Sequence, residues 1–463
     1  MTNRSVENQC GCSQQPANVL LSIVPAVPNE MATERSGILR RLGKVPWAVA
    51  DQLLISATNF VTMVLLARGL SREDFGRFTL VYEILLFANA LQSALVTQAH
   101  NVLGATRRGE DYARYTTSTA IGQVLLATIA VLLSLAAWAG ACVAAPDAAP
   151  LLLALAPSIL SWQLQEFVRR VLYTEGRLTA AFTNDLISYG VQAVAIAALW
   201  QQEALTAPRA LHALAATSAV AVFLGAWQIC GSLACRADPS AFLENWNYGK
   251  WLAASAVVSS WLSAELFIYI AAAVVGVAAA GILRAVTIVF GPTRVLAYVI
   301  SSVLPIRFAR MLADAGPSAL RAELKTTYLL ALPAMGGYCL LAAIFAEPLL
   351  RLLYREKYAG QASVLALYAV YTFIVYVAMI VNAALLANRQ TRQVFSSHLY
   401  AGLISLPIGL ITIVALGVHG AVLGMIANYA VVCLLLRRAY DAERTAPARL
   451  RSGPRTSVTP ARH

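Results

Sequence analysis

Charged side chains are scarce in this chain: Asp, Glu, Lys and Arg make up 13% of its 463 residues, against roughly a quarter in an ordinary soluble domain. A water-facing surface of normal composition cannot be built from so few charges, which excludes a soluble globular fold. Histidine is rarer still, at five residues. His100, His212, His398 and His419 share no metal-ligand spacing, and each reads as packed or interfacial. The seven cysteines form neither a disulfide framework nor a metal site: Cys10 and Cys12 lie in the N-terminal tail, while Cys142, Cys230, Cys235, Cys339 and Cys433 sit singly in or beside apolar segments. Neither a metal nor a cofactor is expected.

Apolar residues are what the chain has in quantity, at 59% of the sequence with a mean hydropathy of +0.65. Runs of ~20 apolar residues, long enough to cross a hydrocarbon core of about 30 Å, recur between Trp47 and Leu436. The net charge of +12 is dispersed over short loops and both tails, with no basic, aromatic-interleaved domain to bind nucleic acid. Val19 to Val27 is too short to span and has few basic residues before it, so it makes a poor signal peptide. Met31 opens a basic approach to the first span and is a candidate alternative start.

Hydropathy and turn clusters place spans near residues 47–67, 78–103, 117–140, 150–168, 180–200 and 210–234. After a polar break the spans resume near 251–274, 278–303, 327–350, 363–387, 395–416 and 419–436. This divides the chain into a tail at 1–46, a first six-helix bundle at 47–235, a linker loop at 236–250, a second bundle at 251–436, and a basic tail at 437–463 expected to be disordered. With both ends inside, Lys and Arg divide 26 inside to 7 outside, which is the positive-inside pattern of a multi-pass inner-membrane protein with cytoplasmic termini. Phe75-Gly76-Arg77-Phe78 and Ala280-Gly281-Ile282-Leu283 form a weak echo between the halves, as expected of a parallel repeat.

Directly after the first span, Ala67-Arg68-Gly69-Leu70-Ser71-Arg72-Glu73-Asp74-Phe75-Gly76 resembles the first loop of polysaccharide and oligosaccharide exporters in the multidrug/oligosaccharidyl-lipid/polysaccharide (MOP) superfamily. Ser71-Arg72 stands where that family commonly has Gly-Pro. Glu347-Pro348-Leu349-Leu350 followed by Leu353-Tyr354-Arg355-Glu356-Lys357-Tyr358-Ala359-Gly360-Gln361-Ala362 is similar to the loop between the family's ninth and tenth spans. The resemblance covers about residues 40–436. It implies an all-α, MATE-like membrane fold of about 12 transmembrane helices in two six-helix bundles around a central cavity. It also implies alternating access and a polyprenyl-diphosphate-linked oligosaccharide as cargo in a bacterial cytoplasmic membrane. Membrane lipid and H+ or Na+ are the further expected partners, and glycan polymerase machinery is a candidate for association.

An ionisable group at mid-membrane costs roughly 2.5 to 3.5 kcal/mol on insertion scales, so the few present should face a cavity or a partner. Asp51, Thr58, Asn59 and Thr62 share one face of the first helix. Asp51, Glu83 and Glu265 are candidates for the coupling ion, against the alternative that each is tied to a neighbouring helix. Arg284 and Arg294 suit a diphosphate, because a guanidinium offers a fixed fork of donors and a charge that does not titrate away. They lie ~15 Å apart along a helix that Gly291-Pro292 should kink. The alternative is that they pair with Glu265 or Glu83. Arg68 and Asn59 complete the candidate cargo contacts.

A membrane-embedded polysaccharide polymerase or ligase would present a large outer loop with catalytic groups. The outer loops here are about a dozen residues or fewer, with no recognisable constellation. A cation-coupled multidrug antiporter shares the superfamily architecture but has no need of intramembrane arginines. A lipid II flippase of the same superfamily would be expected to have fourteen spans.

Overall fold

The computed structural model of the chain describes residues 45–261, 264–293, 296–297, 300–301, 304–388 and 390–445. Within them every regular element is helical. The first half comprises α1 (Val45–Gly69), α2 (Arg72–Gln92, continued by a π turn into Gln98–Leu103), α3 (Gly109–Ala144) and α4 (Ala149–Thr174). It is completed by α5 (Leu178–Asp185, continued by a π turn into Val191–Gln201) and α6 (Ala207–Ile229). The second half comprises α7 (Ser240–Trp261), α8 (Ala264–Val274), α9 (Val277–Val289), α10 (Leu304–Ile344), α11 (Ala346–Tyr354), α12 (Ala362–Ala387), α13 (Thr391–Leu416) and α14 (Val418–Thr445). Nine of the described helices are long and apolar enough to cross a membrane. The shorter α8 and α9 are also apolar and pair beside them.

Lipid exposure follows the same order in both halves. Only 17% of the apolar window is buried in α3, the third span, and in α10, the ninth; the corresponding values are 72% in α4 and 50% in α12. Peripheral and central helices therefore recur at equivalent places, as a six-plus-six repeat requires. The outer belt carries Leu133, Phe223, Leu330 and Ile411, each more than 60% exposed, a surface that only a bilayer tolerates.

Several boundaries differ from the sequence reading, four of them in ways that change an assignment. Residues 72–77 are the first turns of α2 rather than loop, because Ser71 caps the helix: its Oγ accepts from the Asp74 backbone N–H at 2.9 Å, and Glu73 and Asp74 favour the dipole. The linker assigned to 236–250 is helical from Ser240. The span placed at 327–350 joins two helices, since the chain leaves helical geometry at Phe345 and restarts as α11. Residues 437–445, assigned to a disordered tail, continue α14. The expected break at Gly291-Pro292 is present: α9 ends at Val289 and a 3₁₀ turn covers Gly291–Thr293. The Met31 start and the rest of the N-terminal tail lie outside the described residues.

Candidate functional site

The halves meet most closely where α2 packs on α9, and glycine permits the approach. A Cβ at Gly76 would lie 2.1 Å from the Val277 carbonyl oxygen, and one at Gly281 would lie 2.8 Å from the Arg72 carbonyl oxygen. Each glycine thus meets the residue four positions before the other glycine, which is the reciprocal contact of a two-fold related pair. Small residues bring helix backbones together in lipid in this way.

This crossing delivers Glu83 to Arg284. The Arg284 guanidinium donates to Glu83 Oε1 at 2.8 Å, with both side chains buried, and it stacks 5.2 Å from the Tyr82 ring centroid. At 1.5 Å per residue, Glu83 lies ~16 Å and Arg284 ~10 Å from the first residues of their helices. Two cavities flank the pair. On one side Glu83, Glu265, Tyr269, Gln163 and Ser134 edge a cavity of about 600 Å³ whose other walls are Leu, Ile, Ala and Phe side chains. On the other side Arg284 joins Gln52, Ser56, Asn59 and Thr287 around a polar cavity of about 120 Å³. Arg284 Nε is buried with no hydrogen-bond partner among the described residues.

Both loops that carry the family resemblance lie at the end where α2 and α9 begin, and they interlock. Arg68 donates to the carbonyls of Leu352 and Leu353 at the end of α11. Arg72 donates to the Lys357 carbonyl at 2.8 Å. Lys357 Nζ in return donates to the carbonyls of Ala67, at 3.0 Å, Arg68, at 3.2 Å, and Leu70 around the end of α1. Cations from each half thus satisfy helix-end carbonyls of the other, where the helix dipole favours positive charge. Burial, aided by the neighbouring Arg72, holds the Lys357 ammonium below the ordinary lysine range. Within the second half, Tyr354 on α11 donates to the Ala285 carbonyl of α9 at 2.9 Å, one residue from Arg284.

A second buried ionic cluster lies wholly in the first half. Arg169 on α4 reaches Asp185 at 2.7 Å, Asp51 at 3.2 Å and Glu166 at 3.2 Å, while Arg170 holds Glu166 at 2.9 Å. Tyr173 donates to Asp51, and Gln165 donates to Asp185 at 2.7 Å. Asp185 precedes the π turn Leu186–Gly190, a device that re-aims side chains inside a helix. Asp51 Oδ1 is buried without a partner among the described residues.

The sequence candidates therefore separate into distinct places. Glu83 and Arg284 come together, with Asn59 on the polar cavity and Glu265 on the apolar one. Arg68 belongs to the clasp at the helix ends rather than to a cavity, and Asp51 belongs to the first-half cluster. Arg294 lies outside the described residues. Sequence reasoning missed Glu166, Arg169 and Asp185: the fourth span was ended at residue 168, so the two arginines were counted as loop charge, and Glu166 and Asp185, inside the fourth and fifth spans, were left without a visible partner. The Glu166, Arg169, Arg170 spacing of i, i+3, i+4 was the available signal.

A model of the family described as polysaccharide biosynthesis protein matches residues 65–363. No curated protein matches the chain. Among solved structures, an inward-facing multidrug resistance MATE family transporter of the MOP superfamily superposes with a TM-score of 0.71 at 15% identity, covering 86% of this chain and 96% of its own. The lipid II flippase MurJ in an inward closed conformation gives 0.64 at 16% identity, covering 86% and 87%. A MOP superfamily transporter from Pyrococcus furiosus gives 0.62 at 14% identity, covering 87% and 95%. With more than half its length matched by that model and the helices arranged as in the MATE-like transporters, the chain belongs to the polysaccharide biosynthesis protein family and has a MATE-like fold.

Proposed function

We propose that the protein flips a polyprenyl-diphosphate-linked oligosaccharide across a bacterial cytoplasmic membrane by alternating access, with both termini cytoplasmic and turnover driven by H+ or Na+. One observation carries the reading: a buried Arg284, whose Nε has no partner among the described residues, stands between an inter-half carboxylate and a cavity with polar lining. A cargo diphosphate oxygen reaching the guanidinium through that cavity competes with Glu83. Its binding loosens the tie between α2 and α9 and favours parting of the halves, which is the differential affinity that a ligand-driven change requires. Asn59, Ser56 and Gln52 offer hydrogen bonds to sugar hydroxyls, and Arg294 is assigned as a second phosphate donor. In the first half, Asp51, Glu166 and Asp185 outnumber Arg169 and Arg170 by one. We assign the excess carboxylate to the coupling ion.

The larger cavity supports a second reading. Apolar walls with Glu83 and Glu265 at the edge would suit a lipophilic cation, the cargo of a multidrug antiporter. Deletion of the protein separates the two: the glycan reading expects a polyprenyl-diphosphate oligosaccharide to accumulate facing the cytoplasm, and the antiporter reading expects sensitivity to cationic dyes. Within the first reading, Arg284→Ala and Arg294→Ala should each abolish glycan export per molecule of inserted protein, with Lys restoring only part of it. A purely structural Arg284 behaves otherwise. Its loss leaves Glu83 buried and unpaired at a cost of about 3 to 5 kcal/mol, so protein abundance falls, and Arg284→Ala with Glu83→Gln restores both abundance and export. Normal export by that double variant would end the cargo-contact assignment.

A further inference from the structure

A third cavity, of about 670 Å³, opens between α10, α12 and α14 and shares no residue with the site above. Arg321 and Lys325 on α10 and Arg437 on α14 gather at one end of it. Leu329, Leu332 and Phe373 line the other. Among the described side chains two acidic residues are nearby, and both are engaged: Asp441 with Arg437 at 3.2 Å, and Glu323 with Arg307 at 2.6 Å. The cavity rim therefore keeps a net positive charge from Arg321 and Lys325. Its apolar wall merges with Leu329 and Leu330, which are 64% and 71% exposed and can only face acyl chains.

We propose that this cavity is a binding site for an anionic phospholipid of the cytoplasmic leaflet. Length argues for that occupant. From Arg321 to Leu332 is ~16 Å along α10, about half the hydrocarbon thickness, so the site offers cations at headgroup level and aliphatic contact to the middle of the bilayer. That is the reach of a one-leaflet lipid, and a much longer polyprenyl chain would leave most of its length outside. Charge argues for the anion, since basic pockets between spans on the cytoplasmic side recognise acidic headgroups. The site is anchored: Tyr328 donates to the Val377 carbonyl at 3.2 Å, fixing α10 against α12 beneath the cations. A lipid held there braces α14 against α10 whether or not cargo is present, so the inference is independent of the cargo assignment.

The test uses the full chain in nanodiscs of phosphatidylcholine, with and without phosphatidylglycerol, and counts lipids retained after extraction by native mass spectrometry. The wild type should retain phosphatidylglycerol over phosphatidylcholine, with a preference that fades as salt rises. Each cation removed should cut retention about fivefold, so Arg321→Gln with Lys325→Gln should lose roughly 25-fold. Arg108→Gln with Arg114→Gln, which removes two first-half cations, should lose nothing. Equal retention of both lipids by the wild type would overturn the proposal even if the variants fail to insert. Undiminished retention in the α10 variant would do so as well. Preferential capture of a polyprenyl diphosphate over phosphatidylglycerol would reassign the cavity to cargo.

Discussion

Replacing Gly76 by Val tests whether the α2–α9 crossing is what shuts one end of the protein. A Cβ at that position would sit 2.1 Å from the Val277 carbonyl oxygen, so the two backbones must separate by about 1 Å to restore ordinary contact. Overpacking of this kind costs typically 1 to 3 kcal/mol. The strain exists only while the end is closed. Opening relieves it, so the closed-to-open equilibrium should move by about 5- to 150-fold. Ala280, fully buried near this crossing, is the reporter. In a background with the natural cysteines removed, Ala280→Cys should react slowly with an impermeant maleimide, and adding Gly76→Val should raise the rate by a factor in that range. Gly337→Val, where a Cβ meets nothing within 4 Å, should leave it unchanged. A Gly76→Val protein that accumulates normally and protects Ala280→Cys as well as its parent would refute the reasoning.

Two more predictions follow from the ionic cluster and the topology. Arg169→Ala strands Asp51 and Asp185, leaving only Glu166 paired, with Arg170, and should lower protein abundance by a destabilisation of about 3 to 5 kcal/mol, whereas Asp185→Asn, which removes the excess charge, should accumulate normally and lose ion-driven export; wild-type abundance of Arg169→Ala in membrane fractions would contradict this. Single cysteines at Ser71 and Gln361 should both be modified by an impermeant reagent in intact spheroplasts, and protection of either would break the assigned orientation.

The twelve-span reading was legible because apolar run length is a local property, set by bilayer thickness, that a sliding window detects. Its errors fell where local polarity misleads. Arg72 to Arg77 looks like a loop because four of its six residues are charged, yet Ser71 caps them into the first turns of the helix that continues as the second span. Arg169 and Arg170 look like an inside loop for the same reason, although α4 continues to Thr174 and carries them into a buried cluster. The sequence also supplied the ionisable candidates and named Glu83 among the possible partners of Arg284. It could not choose among them, because the pair spans 201 positions and rests on how α2 and α9 cross.

The glycines show how the two levels connect. Gly76 and Gly281 were visible only as a weak echo, since a glycine beginning a span has many uses. Their significance lies in reciprocity, each set against the residue four before the other, and that relation exists only once the halves have docked. The same docking places Arg68 and Lys357 on opposite helix ends, while within the second half Tyr354 holds α11 to the carbonyl beside Arg284. The clasp and the buried ion pair are consequently not independent ties. The ion pair ties α9 to α2 and the clasp ties the ends of α1 and α2 to α11 and the loop after it, so a rigid-body parting of the halves breaks both, and the clasp groups are partly exposed where Glu83 and Arg284 are buried. The deeper pair is therefore the larger barrier to opening, and a ligand that replaces Glu83 as the partner of Arg284, or a proton that neutralises Glu83, acts at the step where the barrier is greatest.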